Sequence, residues 1–314
     1  MKSNSITITY LSKVSFASLN GSDKEVDNIN PIKKVTLHNG EELPYVSSQA
    51  IRRALRDKIS ELGYETSPVG QSSTDKGAPK TALNPIEYID DDLFGYMDAK
   101  AGEGDTAGTS NTRTSPIRVE SLLALATYKG DLDYATNFMG TKIGLNPNIF
   151  ETEIHSGVYR GTILIELDRV GIEHVLKVEK EGKKIVSRTL EKKELVDNQE
   201  KANRVLAFID ALQMLWSSGR QSRFLADISP KFIAAGLMKS KNPIFLEAVD
   251  LDEKGEVDLA KLKTVTSDYS RFIKQSVFAV QEAVFSKQEG MISLKGGFQL
   301  IHNWVNEYYG VKKD

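Results

Sequence analysis

The stretch SITITYLSKVSFASL, residues 5–19, alternates apolar with polar side chains and is rich in β-formers. Alternation with a period of two is the pattern of a strand with one buried face. We therefore predict a long strand here, the first element of the fold. With 314 residues, the chain is long enough to bury a large core around it.

The stretch VSSQAIRRALRDKI, residues 46–59, predicts an amphipathic helix. Ser47 is a favourable N-cap, and Ile51 and Leu55 lie on one apolar stripe at about 100° per residue. Four polar side chains share an arc of roughly 100° beside that stripe: Gln49, Arg52, Arg53 and Arg56. The spacing alone leaves two interpretations open, a solvated face or a surface that holds an anion.

The later segments complete an α+β pattern. Strands are predicted at 115–128, 157–171 and 228–238, and a helix at 201–219 with Trp216 on its apolar face. The order β-α-β-β-α-β is that of the ferredoxin-like or RRM-type layout. Gly- and Ser-rich excursions interrupt it, and the remaining predictions are a charged hairpin at 175–190 and helices at 257–287 and 298–309.

Composition excludes several classes of protein. The net charge of −2 and the pI of about 6.2 exclude a globally basic, histone-like binder, although a local anion groove remains compatible with them. The chain has no cysteine, and therefore no disulfide and no thiolate metal site. No stretch has the length of a membrane span and the start has no signal-peptide pattern, so we expect a soluble, cytoplasmic protein without membrane partners.

Residues suited to catalysis or metal binding are scattered. The four histidines form no i,i+4 pair, and we interpret them as ordinary surface or core residues. The run Asp90-Asp91-Asp92 is interpreted as a solvated run that caps a turn rather than as a metal site. Asp23 and Asp27 lie in a loop at the end of the first strand, a plausible position for chemistry, although their spacing alone favours a plain polar loop. We expect no metal and no cofactor.

Two further segments have a composition that suits RNA. In SSGRQSRF, residues 217–224, a glycine and two arginines follow a helix, so the loop could present backbone N–H groups and guanidinium groups to phosphates. An ordinary helix end with exposed arginines is the alternative. In NFMGTK, residues 137–142, an aromatic ring and a thioether stand in a polar excursion, where they are either buried fillers or wedges between bases.

Six segments in order resemble the backbone, guide-RNA-binding subunit of Cascade, the CRISPR surveillance complex. The resemblance is to the type I-B, DevR-type group of the RAMP superfamily. It covers about the first three quarters of the chain, through ITITYLSKVSFASLNGSD, LPYVSSQAIRRALRD, DDLFGYM, RTSPIRVESLLAL, PNIFETEIHSGVYRGTILIELDRVG and GRQSRFLADISP. The second segment and the strand within the fifth are the specific ones.

The resemblance implies an RRM-like palm with long insertions. The palm would comprise residues 1–62, 113–126 and 156–240, the last part with a charged hairpin at 172–197. A finger insertion would occupy 63–112, a thumb 127–155, and a helical C-terminal extension 241–314. The implied partners are a CRISPR guide RNA, target DNA paired with that guide, further copies of the chain and other Cascade subunits.

The resemblance also implies which residues contact the guide. The helix would contribute Gln49, Arg52, Arg53 and Arg56, and the thumb would contribute Phe138 or Met139 as a wedge with Lys142 beside it. The end of the first strand and the later loop would add Asn20, Gly21, Gly219, Arg220, Gln221 and Arg223. This loop has fewer glycines than in many relatives, so contact here would depend more on side chains.

The resemblance leaves one enzymatic alternative. Related subunits of type III complexes cut target RNA with an aspartate in the loop after the first strand, where Asp27 falls. The surrounding loop matches poorly, so we expect a binding protein rather than an enzyme and keep a metal-dependent endoribonuclease as the alternative.

Overall fold

The computed structural model describes residues 3–23, 28–71, 79–98, 111–144, 146–181, 184–217 and 219–312. Within these ranges the α-helices are α1 (Ser48–Glu61), α2 (Ile89–Phe94), α3 (Asn198–Gln213), α4 (Leu259–Asp268) and α5 (Leu294–Tyr309). The strands are β1 (Ser5–Ala17), β2 (Ile29–Asn30), β3 (Lys34–Thr36), β4 (Glu42–Val46), β5 (Gly70–Gln71), β6 (Pro79–Lys80), β7 (Tyr96–Asp98), β8 (Asn111–Arg113), β9 (Ile117–Val119), β10 (Leu122–Ala124), β11 (Leu132–Asn137), β12 (Asn148–Glu153), β13 (His155–Glu166), β14 (Ile172–Glu181), β15 (Lys184–Glu194), β16 (Phe232–Met238), β17 (Ile273–Val280) and β18 (Ile292–Ser293).

Strand β1 is the centre of the main sheet. It pairs antiparallel with β13 on one side and with β16 on the other, and β10 and β9 pair with β13. The alternating apolar residues predicted from 5–19 are buried, as at Ile6, Ile8 and Tyr10. The order β16-β1-β13-β10, with α1 and α3 as the crossover elements, is the ferredoxin-like arrangement. The α+β, RRM-like prediction is therefore confirmed.

The two faces of the sheet are covered by different parts of the chain. Helices α1, α3 and α5 pack over the face that includes Ile8 and Tyr10. The opposite face, with Leu11 and Phe232, packs against the C-terminal segments around Phe245 and α4. Because both faces of β1 and β16 are covered, these strands are buried along most of their length.

The prediction for residues 257–287 is wrong in its second half. Helix α4 ends at Asp268, and β17 then pairs antiparallel with β16 and widens the sheet by one strand. The end of β17 has the burial pattern of a strand rather than a helix. Val277 and Ala279 are buried and alternate with a half-buried neighbour, and the strand ends at the buried Val280. Helix α5 packs beside α3, as the amphipathic pattern predicts.

Other predicted elements have shifted ends. The strand predicted at 115–128 is two short strands, β9 and β10, and the hairpin predicted at 175–190 is the longer pair β14–β15. The excursion at 127–155 is not irregular, since β11 and β12 form an antiparallel hairpin, with β2 parallel to β12. We call β11 and β12 the thumb hairpin. Across the described ranges, no helix has the length and apolarity to cross a membrane.

Candidate nucleic-acid interface

The end of β1 joins the two segments whose arginines suggest RNA contact. The Oδ1 of Asn20 accepts a hydrogen bond from the backbone N–H of Ser47, the N-cap of α1, at 2.9 Å. On the other side of this junction, Gly219 lies so close to Leu19 that a Cβ on residue 219 would stand 2.4 Å from the carbonyl oxygen of Leu19. Only glycine allows this approach of two backbones. Gly21 pairs with Ile32 as a β-bridge, which fixes the exit from this junction.

Two of the four polar residues of α1 face solvent as predicted. Ser47 caps the helix by accepting a hydrogen bond from the N–H of Ala50 at 3.4 Å. Gln49 and Arg53 are exposed, and Arg53 forms an ion pair with Asp57 at 3.0 Å, one helical turn away. Such exposed i,i+4 pairs contribute little to stability, so the guanidinium group of Arg53 is available for another anion.

Arg52 and Arg56 instead face helix α2 and are half-buried. Arg52 donates to the carbonyl oxygen of Phe94, and the Nε of Arg56 donates to the Oδ2 of Asp90 at 3.1 Å. The Phe94 ring lies 5.5 Å from the guanidinium carbon of Arg52 and 4.8 Å from that of Arg56. Burial, and then the charge of Arg56, lower the pKa of Arg52. The four residues are therefore not one outward-facing unit.

The interpretation of residues 90–92 as a solvated run is wrong, because all three carboxylates are buried. Asp92 forms ion pairs with Arg113 and with Arg204, the latter at 2.8 Å, and accepts the backbone N–H of Gly171 at 2.9 Å. Asp90 accepts the N–H of Ser67 at 2.7 Å besides the guanidinium of Arg56. The carboxylates of Asp90 and Asp92 are neutralised by arginines, whereas Asp91 accepts the backbone N–H of Asn84 at 2.9 Å. The described ranges contain no acidic or histidine cluster suited to a metal ion.

The arginine loop, residues 219–223, faces the thumb hairpin. The Nη1 atoms of Arg220 and Arg223 both donate to the Oγ1 of Thr152 on β12, each at 3.2 Å. Arg223 also forms an ion pair with Asp133 on β11. The convergence of two cations has an electrostatic cost, and burial followed by the charge of Arg223 lowers the pKa of Arg220.

The backbone of the arginine loop is fixed as well. Arg220 has a φ of +49°, a conformation that non-glycine residues adopt rarely. Its carbonyl oxygen accepts the N–H groups of Arg223 and Phe224, at 2.9 and 3.1 Å. The side chain of Gln221 donates to the carbonyl oxygen of Ser217 at 3.1 Å. The loop therefore presents its arginines from a closed turn rather than from an extended segment.

The tip of the thumb hairpin exposes apolar side chains. Phe138 is 62% exposed and Met139 is 84% exposed, and Lys142 beside them is also exposed. Ile143 adds a third apolar side chain at 78% exposure, which the sequence patterns did not single out. Exposure excludes the interpretation of Phe138 and Met139 as buried fillers, and their role as a wedge stays a prediction.

Contacts between rigid elements fix the base of the thumb hairpin. The Nζ of Lys34 on β3 forms an ion pair with Glu153 at 3.0 Å and lies 4.3 Å from the ring centre of Tyr128. His155 is buried with its Nδ1 atom 2.7 Å from the Oη of Tyr159, and burial lowers the pKa of this imidazole. The charge of Asp131 acts in the opposite direction and raises this pKa, so burial is the larger of the two effects.

Sequence patterns missed Thr152 and Asp133, the residues that hold the arginine loop. They lie 68 or more residues from the loop in sequence and carry no motif of their own, so no local signal marks them. Asp27, the residue of the enzymatic alternative, lies outside the described residues.

Comparisons with known proteins agree with this geometry. The model of the family described as "CRISPR-associated negative auto-regulator DevR/Csa2" matches residues 8–258. A CRISPR-associated protein Cas7/Cst2/DevR of Myxococcus xanthus (strain DK1622) is 24% identical over 249 residues, which are 75% of this chain and 73% of that protein.

Two solved structures share the fold. A chain of a CRISPR RNA-guided surveillance complex in a pre-nicking state superposes with a TM-score of 0.58 at 13% identity, over 97% of this chain and 100% of that chain. A chain of a second CRISPR RNA-guided surveillance complex superposes with a TM-score of 0.55 at 16% identity, over 96% and 99%. The family match covers well over half of the sequence, so this chain belongs to the DevR/Csa2 family of CRISPR-associated proteins.

Proposed function

We propose that the chain is a CRISPR guide-RNA-binding backbone subunit of a Cascade-type surveillance complex, of the type I-B group. Copies would line up along the guide and present its bases to target DNA, with other Cascade subunits at the ends of the assembly. The family match and the likeness to chains of RNA-guided surveillance complexes support this proposal. It assigns no catalytic step to the chain.

The observation that carries the proposal is the junction at the end of β1. Through Leu19 and Asn20 it holds the N-terminus of α1 against the arginine loop. Gln49 and Arg53 on α1, and Arg220 and Arg223 of the arginine loop, would then border one surface beside the thumb hairpin. Arginine is suited to phosphate because its planar group donates two parallel hydrogen bonds.

This surface suits a guide of any sequence. Contacts to phosphate and sugar carry no sequence information, which a protein that serves many guides requires. Arg56 donates to Asp90 from one of its five N–H groups, so that contact does not exhaust the side chain. An exposed apolar tip such as that at Phe138 and Met139 can interrupt base stacking and splay a strand into segments.

The test is binding of single-stranded RNA by the purified protein. We expect protein expressed without its natural guide to copurify with RNA, and to bind unstructured oligonucleotides of different sequence with similar affinity. Arg223→Ala should weaken binding and reduce the slope of log affinity against log salt concentration by about 0.7 for each phosphate that the variant no longer neutralises. Arg271→Ala removes the same charge from an exposed site in the C-terminal segment and is the control.

Two results would contradict the proposal. If Arg223→Ala and Arg271→Ala had the same affinity and salt slope, the arginine loop would not be the RNA-binding surface. If the assembled protein cut matched target RNA at regular intervals with Mg²⁺, and Asp27→Ala abolished cutting, the endoribonuclease alternative would replace the binding role.

A further inference from the structure

Trp216 occupies an exposed position that its sequence pattern does not predict. Helix α3 ends at Gln213, so Trp216 lies beyond the helix rather than on its apolar face, and it is 37% exposed. The other tryptophan, Trp304, is 1% exposed, and its Nε1 donates to Gln275 at 2.5 Å. Because an indole ring is usually mostly buried, the exposure of Trp216 suggests a functional role.

The backbone holds this ring in place. Trp216 pairs with Asp227 as an antiparallel bridge, and the N–H of Ser217 donates to the carbonyl oxygen of Ala226 at 2.9 Å. The neighbours Leu215 and Ser217 are both buried. The exposed indole is thus presented from a rigid segment, which lowers the entropy lost when a ligand stacks on it.

A cavity of about 580 Å³ opens beside the indole. Two lysines line it: the Nζ of Lys58 lies 5.7 Å from the Trp216 ring centre, and the Nζ of Lys231 is held by Asp227 at 2.5 Å and by Ser229 at 2.8 Å. Glu61 balances Lys58 at 2.6 Å, so both cations are oriented rather than free. A flat aromatic face fits a nucleobase, and the two lysines can hold the phosphates next to it when they exchange Glu61 and Asp227 for them.

The indole that lines the cavity lies close to the arginine loop along the chain. Trp216 precedes Gly219 by three residues, a distance of at most about 10 Å along the chain. We propose that Trp216 stacks on one unpaired nucleobase of the guide strand that the arginine loop binds by its backbone, with Lys58 and Lys231 beside the neighbouring phosphates. The stacking is blind to base identity, because every base has a π-face. This inference rests on the proposed function.

The chain offers a direct readout of this contact, because Trp216 and Trp304 are its two tryptophans. In a Trp304→Phe variant, titration with oligouridylate or oligoadenylate should quench the fluorescence of Trp216 at the concentrations where anisotropy of a labelled oligonucleotide reports binding. If that variant does not fold, the wild-type chain labelled with 5-fluorotryptophan gives two ¹⁹F signals, of which the signal absent in Trp216→Phe should shift.

Affinity gives the second readout. Trp216→Ala should weaken binding by about 5- to 100-fold, the range found for the loss of one base–aromatic stack. Trp216→Phe keeps a ring and should stay within about threefold of the wild type. Tyr269→Ala removes an aromatic ring of similar exposure from the C-terminal segment and should change nothing.

The outcomes separate this inference from the proposed function. RNA binding by anisotropy without any change at Trp216 would overturn the stacking role and leave the RNA-binding function intact. Absence of RNA binding would overturn both. If Trp216→Ala converted an RNA-free oligomer to a monomer and left RNA affinity unchanged, the cavity would hold a second copy of the chain instead of a base.

Discussion

Two arginine–aspartate pairs in this molecule use the same chemistry in different surroundings. Arg56 on α1 forms an ion pair with Asp90 on α2, and Arg223 of the arginine loop forms one with Asp133 of the thumb hairpin. Each guanidinium also lies within 5.5 Å of the centre of a phenylalanine ring. The difference is burial, since the side chain of Asp90 is 2% exposed and that of Asp133 is 35% exposed.

This difference separates a structural pair from an exchangeable one. A carboxylate that is buried cannot regain water when its partner leaves, so the loss of the cation is strongly destabilising. A carboxylate that is one third exposed is rehydrated when a phosphate takes its arginine. We therefore expect mutations around Asp90 to lower stability, and mutations around Asp133 to change RNA affinity. The three predictions below test this contrast.

The largest effect on stability is expected for Asp92→Asn, which changes a buried carboxylate. This change removes the charge that faces two buried guanidinium groups: Arg113 loses its carboxylate, and Arg204 keeps only that of Glu200 at 2.8 Å. The free energy of unfolding, measured by urea denaturation, should fall by about 3–5 kcal/mol. Asp57→Asn, which breaks the exposed pair with Arg53, should stay within about 0.5 kcal/mol of the wild type. Equal losses of stability in Asp92→Asn and Asp57→Asn would show that burial does not determine how much an ion pair contributes.

A smaller effect is expected for Arg56→Ala. Asp90 would keep the N–H of Ser67 but lose its cation, so the free energy of unfolding should fall by about 2 kcal/mol. Arg53→Ala is the matched control on the same helix, because it removes an exposed arginine and should cost less than about 0.5 kcal/mol. Thermal unfolding of the three proteins side by side measures the difference. If Arg53→Ala lost as much stability as Arg56→Ala, the structural role of the contact between Arg56 and Asp90 would be contradicted.

The smallest effect is a gain, expected for Asp133→Asn. Removal of this carboxylate frees Arg223 from its ion pair, so RNA affinity should rise by about three- to tenfold while stability changes by less than about 1 kcal/mol. Fluorescence anisotropy with a labelled oligonucleotide measures the change. Asp131→Asn removes one negative charge from the same excursion and separates a general charge effect from the specific contact. Equal gains in both variants would leave Asp133 without a special role.

Local patterns predicted the elements whose burial is regular along the chain. Strand β1 and helix α1 formed where alternation and the Ser47 cap placed them, because each buries one set of side chains at the period of its own secondary structure. The strand β17 escaped prediction because its buried residues are concentrated at one end, so residues 273–276 show no clear alternation. Its place is decided by pairing with β16 rather than by its own pattern.

The residue types of the candidate site could be predicted from the sequence, but the contacts of these residues could not. The arginines of α1 could be placed on one arc from their spacing, but the partners of Arg52 and Arg56 lie 34 or more residues away. The buried state of Asp92 depends on Arg204, which is 112 residues distant in sequence. A run of three aspartates is usually solvated, and only the tertiary arrangement of cations reverses that expectation.

The ion pairs around residues 90–92 also bear on how the chain tolerates changes of length. Asp90 is tied to α1 by Arg56, and Arg113 at the end of β8 is tied to Asp92. A loop whose two ends are already held loses little when it grows, since each doubling of its length costs only about 0.6 kcal/mol of closure entropy. We therefore expect insertions between residues 98 and 111 to cost little stability, because β7 and β8 pair on either side of that segment.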